Sequence, residues 1–105
     1  MQTQNLEIVK GFDQSYILTF TDSDGAIDIS QWTVYFTVKT QKTLIVMISK
    51  TVTVHTDPTN GISKIALSNA DTNIARGTYK YFLTVKTGAG EIYPLLSGNM
   101  TVREI

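Results

Sequence analysis

The stretch Asp71-Thr72-Asn73-Ile74-Ala75-Arg76-Gly77-Thr78-Tyr79-Lys80-Tyr81-Phe82-Leu83-Thr84-Val85 joins a turn signal to the most aromatic strand pattern in the chain. Asp and Asn bond their own backbone locally and Gly admits positive φ, so Asp71 to Gly77 interrupts whatever precedes it. From Thr78 the residues alternate. Tyr79, Tyr81, Leu83 and Val85 fall on one side, and Thr78, Lys80, Phe82, Thr84 and Lys86 on the other. Period two is the signature of a strand with one face to bury.

The same period recurs outward from this stretch. Trp32, Val34, Phe36 and Val38 alternate with Thr33, Tyr35, Thr37 and Lys39. Tyr16, Leu18 and Phe20 alternate with Ile17, Thr19 and Thr21. Shorter segments at Leu6–Val9, Leu44–Ile48 (continuing through Lys50–His55), Ile62–Leu67, Glu91–Leu96 and Met100–Val102 complete the set. Turn signals separate them: Asp22-Ser23-Asp24-Gly25, Asp57-Pro58-Thr59-Asn60-Gly61, Thr87-Gly88-Ala89-Gly90 and Ser97-Gly98. One helical turn fits Ser68 to Ile74, with Ser68 or Asn69 as its cap. About eight short strands at this spacing predict a sandwich or barrel. The expectation is a single all-β domain spanning residues 1–105.

Composition bounds the function. The 105 residues hold nine basic and nine acidic side chains, for a formal net charge of zero. Nucleic-acid and anionic-membrane binding want a basic surplus or patch, so neither is expected. There is no cysteine, which excludes disulfides, thiolate metal sites and a cysteine nucleophile. The amino terminus is polar and no apolar run approaches a spanning helix. These features predict a soluble protein made in the cytosol.

Each candidate for chemistry has a plainer reading that wins. His55 is the only histidine, its one local acid is Asp57, and no nucleophile elbow accompanies it; it reads as a solvated strand-end residue. Asp22, Asp24 and Asp28 surround Gly25, but the spacing misses the calcium-loop pattern and suits a hairpin turn. Gly88-Ala89-Gly90 is too short to cradle a phosphate. Glu7, Glu91 and Glu104 lie on different strands with nothing to bring two together. No catalytic, cofactor-binding or metal-binding residue is assigned, and the protein is not read as an enzyme.

Three aromatics sharpen the architecture. Trp32 opens the cleanest strand on its buried side. Tyr79 follows Gly77 by two at a strand start, and Tyr81 follows two later. Immunoglobulin-like sandwiches place a core Trp on strand C and a corner Tyr at the start of strand F, two residues before a cysteine. With Tyr81 in that cysteine's place, an immunoglobulin-like antiparallel β-sandwich of about 7–9 strands is expected. Its core is Tyr16, Leu18, Phe20, Trp32, Val34, Phe36, Val38, Ile65, Leu67, Tyr79, Tyr81, Leu83 and Val85, and the Tyr79 hydroxyl is expected to bond an upstream backbone group.

Apolar residues also fall where solvent is expected. Ile45 and Met47 lie opposite Leu44, Val46 and Ile48, so both faces of that strand are apolar. Tyr35, Phe82 and Tyr93 fall on outward positions. Such surfaces are covered either internally or by a second subunit. Tyr35, Ile45, Met47, Phe82 and Tyr93 are therefore the candidate interface.

The order Ile27–Val34, Ser49–Val54, Asp57–Gly61, Asp71-Thr72 with Gly77–Tyr81, and Leu95–Val102 resembles the immunoglobulin-like domain of phage tail and baseplate proteins, of which the baseplate upper protein amino-terminal family is nearest. The resemblance spans roughly residues 12–103 and has no catalytic motif to carry over. It implies a non-enzymatic structural component of the virion, in tail, baseplate or neck. Such a part is made in the host cytoplasm and docks to itself or to other virion proteins as an oligomer. The alternative reading is a carbohydrate- or host-surface-binding module, in which Tyr35, Phe82 and Tyr93 stack on a host glycan.

Overall fold

The two cleanest alternating segments become the two central strands of one sheet. In the computed structural model, which describes residues 2–104, ten strands run β1 (Gln2–Thr3), β2 (Leu6–Val9), β3 (Gln14–Thr19), β4 (Thr21–Asp22), β5 (Gly25–Ala26), β6 (Thr33–Thr40), β7 (Val46–Val52), β8 (Ile62–Leu67), β9 (Gly77–Lys86) and β10 (Ile92–Arg103). The large sheet has the order β1-β10-β9-β6-β7, and β2 also pairs with β10. All its pairings are antiparallel except those of β1 and β2, which run parallel to β10. A second layer consists only of the antiparallel pair β3-β8. The short β4-β5 hairpin stands beside it.

The fold is all-β and immunoglobulin-like. Strands β10, β9, β6 and β7 correspond to the G, F, C and C′ positions of that architecture, and β3 and β8 to B and E. The large sheet curls around a two-stranded partner, so the structure is lopsided where a full sandwich was expected. Among the described residues the only helix is the short 3-10 segment Pro58–Asn60, closed by Gly61 at φ 72°. A Cβ on Gly61 would stand 2.4 Å from the Phe20 carbonyl oxygen, and the Phe20 N–H donates to the Gly61 carbonyl at 2.8 Å. Only glycine admits both that φ and that approach.

The core follows the alternation. Val34, Phe36 and Val38 of β6, Tyr79, Tyr81, Leu83 and Val85 of β9, and Ile65 and Leu67 of β8 are buried together. Tyr16, Leu18, Phe20 and Trp32 pack against this cluster only partly buried, because the second layer is narrow. Ile8, Ile29, Ile48, Met100 and Val102 are buried too, from segments too short or too irregular to carry a period.

The Tyr79 hydroxyl donates to the Ala75 carbonyl at 2.6 Å, fastening the turn before β9. That turn is one helical loop, in which the Thr72 N–H donates to the Ser68 carbonyl and the Asp71 N–H to the Ser68 hydroxyl. Asp71 accepts from the Ser68 N–H at 2.8 Å and pairs with Lys50 at 2.7 Å, which holds its carboxyl below the usual range.

Several expectations need correction. Trp32 precedes β6 and meets Phe20 edge-on at 5.5 Å. The central aromatic of that strand is Phe36, whose ring lies 6.3 Å from Tyr16 and 5.9 Å from Tyr81. Ser97-Gly98 is no turn: β10 runs continuously, with an irregularity in register between Pro94 and Leu96. Gly98 instead lets the amino-terminal segment approach, since a Cβ there would stand 2.2 Å from the Gln4 carbonyl oxygen. His55 is buried, its Nδ1 2.8 Å from the Ser63 hydroxyl and its Nε2 2.8 Å from the Trp32 carbonyl. A carbonyl only accepts, so Nε2 carries a proton, and in the neutral ring Ser63 donates to Nδ1. The histidine ties the loop after β7 to β8 and to the entry of β6.

Candidate interaction surface

Strand β7 is the outer strand of the large sheet, and its start is poorly covered. The chain turns at Leu44, which has φ 54°, and the Ile45 N–H donates to the Thr40 hydroxyl at 2.9 Å. Val38 pairs with Ile48 and Lys39 with Val46, so Met47 is an extra residue that bulges the edge. Because of this turn and bulge, β7 begins at Val46, two residues later than the apolar run predicts. Leu44, Ile45, Val46 and Met47 are 39–58% exposed. Only Ile48 returns to the core. The apolar faces noted in the sequence thus have no internal cover among the described residues.

The other candidates lie elsewhere. Tyr35 and Phe82 sit half-buried on the outer face of the large sheet, diagonal to one another, since Tyr35 pairs with Thr84 and Phe82 with Thr37. The Lys39 ammonium lies 5.6 Å from the Phe82 ring centre. Tyr93 pairs with Val85, so it faces the inner side at the far end of β10, where its hydroxyl bonds the Glu91 carboxylate. Ile45 and Met47 therefore share the hairpin tip, Tyr35 and Phe82 share the outer face, and Tyr93 joins neither. The three aromatics form no common platform for a sugar ring, which removes the motive for the glycan reading.

One feature escaped the sequence altogether. The β3-β8 pair leaves part of the inner face open, and an apolar cleft of about 540 Å³ runs along it between β3 and β10. Leu18, Phe20, Trp32, Leu83, Leu95 and Leu96 form most of its walls. It shares Leu18, Leu83 and Leu96 with a smaller hollow of about 140 Å³ beneath Leu6. No charged residue lines either one. Tyr16 borders the smaller hollow, its buried hydroxyl unpartnered among the described residues. Burial, with Tyr81 adding to it, pushes the Tyr16 phenol up to about 12. The neighbouring Tyr81 hydroxyl donates to the Gln4 carbonyl. Depth of this kind depends on which strands are absent from the second layer, and no period in the sequence encodes that.

No protein-family model matches the chain, and no curated protein matches it. Solved structures do. A VGSC beta subunit studied for multimeric cell-adhesive interactions is similar at 14% identity, over 98% of this chain and 92% of that one, with TM-score 0.45. A chain from the structure of ICOS with ICOS-L and an anti ICOS-L VNAR domain aligns at 14% identity over 98% of this chain and 55% of that one, with TM-score 0.49. Murine CRIg aligns at 10% identity, over 96% and 92%, with TM-score 0.44. These are immunoglobulin-like domains of cell-adhesion and immune proteins, where a phage tail or baseplate domain was expected. The expectation of a virion structural role, of virion partners and of a place in the tail or baseplate is overturned with it.

Proposed function

We propose that this chain is a non-enzymatic protein-interaction domain that associates with copies of itself through the tip of the β6–β7 hairpin. The observation that carries the reading is Leu44–Met47: four consecutive large apolar residues, all exposed, on an uncovered strand edge. A contiguous apolar patch of this kind on a small domain marks a contact surface more often than a solvated one. Burying it takes apolar surface out of water, at roughly 25 cal/mol per Å². The chemistry elsewhere supports the same reading, since both nitrogens of the one histidine are engaged in holding loops together.

Sedimentation of the purified chain tests it. The wild type should sediment with a mass rising above the 11.6 kDa monomer as concentration increases. Ile45→Ser with Val46→Ser, both at exposed positions, should keep the fold and return it to the monomer. A wild type that stays monomeric at millimolar concentration would overturn the proposal.

A further inference from the structure

We infer that the apolar cleft between β3 and β10 receives the β6–β7 hairpin tip of a second copy, so that copies join head to tail. This rests on the tip being the docking element and adds what it docks into.

Both surfaces present unused strand edges. One edge of β3 pairs with β8, and no described strand lies along the other. Free edges are ordinarily guarded by charge, proline or a bulge. Here β2 carries Glu7, β8 carries Lys64, and β7 carries Lys50 and the Met47 bulge. Strand β3, Gln-Ser-Tyr-Ile-Leu-Thr, carries none of these. It is an unguarded edge beside an apolar hollow, which is the arrangement that accepts an added strand. The incoming segment must be extended, apolar and uncharged to match that lining. Leu44–Met47 is apolar and uncharged throughout, and its last two residues, Val46–Met47, are extended and open a strand whose outer edge is free among the described residues.

Charge at the two margins agrees. The loop that supplies Thr21 and Ile27 to the cleft bears exposed Asp22, Asp24 and Asp28. The tip carries Lys42 two residues before Leu44. Placement then excludes a chain from filling its own cleft. Trp32, just before β6, lines the cleft, whereas the tip follows Thr40 at the other end of that strand. Eight extended residues hold the two apart by about 26 Å. A contact between different surfaces of two copies is heterologous, and it propagates into rings or filaments instead of stopping at a two-fold dimer.

Complementation between two damaged proteins tests this. A tip variant (Ile45→Asp with Val46→Asp) and a cleft variant (Thr19→Asp with Pro94→Asp) both alter exposed residues. Each alone should sediment as a monomer, with self-association at least tenfold weaker than wild type. Their equimolar mixture should form a 1:1 dimer and nothing larger, because one intact tip meets one intact cleft. If the cleft variant associates like the wild type while the tip variant does not, the tips pair with each other, and the cleft inference falls while the tip reading stands. If the tip variant associates like the wild type, the tip reading itself falls, and a wild type that never associates overturns both. Because the chain has no cysteine, a second measurement avoids the charged variants. Val46→Cys mixed with Thr19→Cys should give a mixed disulfide dimer in preference to either homodimer. Equal yields of the three species would overturn the inference.

Discussion

Replacing Tyr79 by phenylalanine removes one oxygen and leaves the ring in place, so it isolates the bond that fastens the corner before β9. That hydroxyl donates to the Ala75 carbonyl at 2.6 Å while the ring sits in the core. An ordinary hydrogen bond contributes about 0.5–1.5 kcal/mol net, and a buried acceptor left empty adds to its loss. Ala75 is exposed, so water can reach its carbonyl in the variant. The expected loss is therefore about 1 kcal/mol, or roughly 4–8 °C in Tm for a domain near this size. Tyr16→Phe is the matched control. Its hydroxyl is buried and unpartnered among the described residues, so removing it relieves a desolvated group and should leave stability unchanged or raise it. Urea unfolding at pH 7, read by tyrosine and tryptophan fluorescence, measures both. If Tyr79→Phe loses no more stability than Tyr16→Phe, the corner bond contributes nothing and the account of this turn is wrong.

The Tyr16 phenol also predicts a pH dependence. Its proton is held to about 12 in the folded chain and released near 10 in the unfolded one, so stability should fall from pH 10 to pH 12, and Tyr16→Phe should flatten that fall in alkaline urea titrations. His55→Ala leaves the Ser63 hydroxyl and the Trp32 carbonyl without their shared partner, and should lower stability by about 2–3 kcal/mol in the same assay. Gly98→Ala places a methyl against the Gln4 carbonyl. It should detach β1 and β2 from β10, seen as rapid amide exchange at Gln4 and Leu6–Val9 while β6 and β9 stay protected.

What the sequence disclosed was whatever has a period or a turn chemistry of its own. The alternation at Trp32–Lys39 and Thr78–Lys86 located the two central strands to within a residue, because strand geometry repeats every second side chain. Asp57–Gly61 behaved as its Pro, Asn and Gly dictate. The misreadings share a cause. Ser97-Gly98 carries turn residues, yet Gly98 is required by the close passage of Gln4 from the other end of the chain. His55 precedes the polar turn at Asp57 and is held by Ser63 and by Trp32, the latter 23 residues away along the chain. The candidate interface shows the same limit: the two apolar faces around Ile45 and Met47 are legible in the pattern, but their lack of internal cover and their separation from Tyr93 depend on register and on the Met47 bulge.

The absence of cysteine connects the core to the cleft. In disulfide-bearing relatives of this architecture, a covalent bridge joins strands B and F across the layers and a tryptophan packs on it. Here the same path is Tyr16 of β3, Phe36 of β6 and Tyr81 of β9, with ring centres 6.3 Å and 5.9 Å apart. Two such ring pairs contribute roughly 1–3 kcal/mol beyond their burial, against about 2–4 kcal/mol for a disulfide. The aromatic column therefore replaces most of a bridge, and it concentrates the contact between layers at one place. Beyond it the two-stranded layer has, among the described residues, no third strand to extend over the cleft walls at Leu83, Leu95 and Leu96. The cleft is what remains uncovered, and at the edge of β3 beside it an added strand would lengthen the second layer over that hollow. An architecture held by three rings can leave that strand to be supplied from outside.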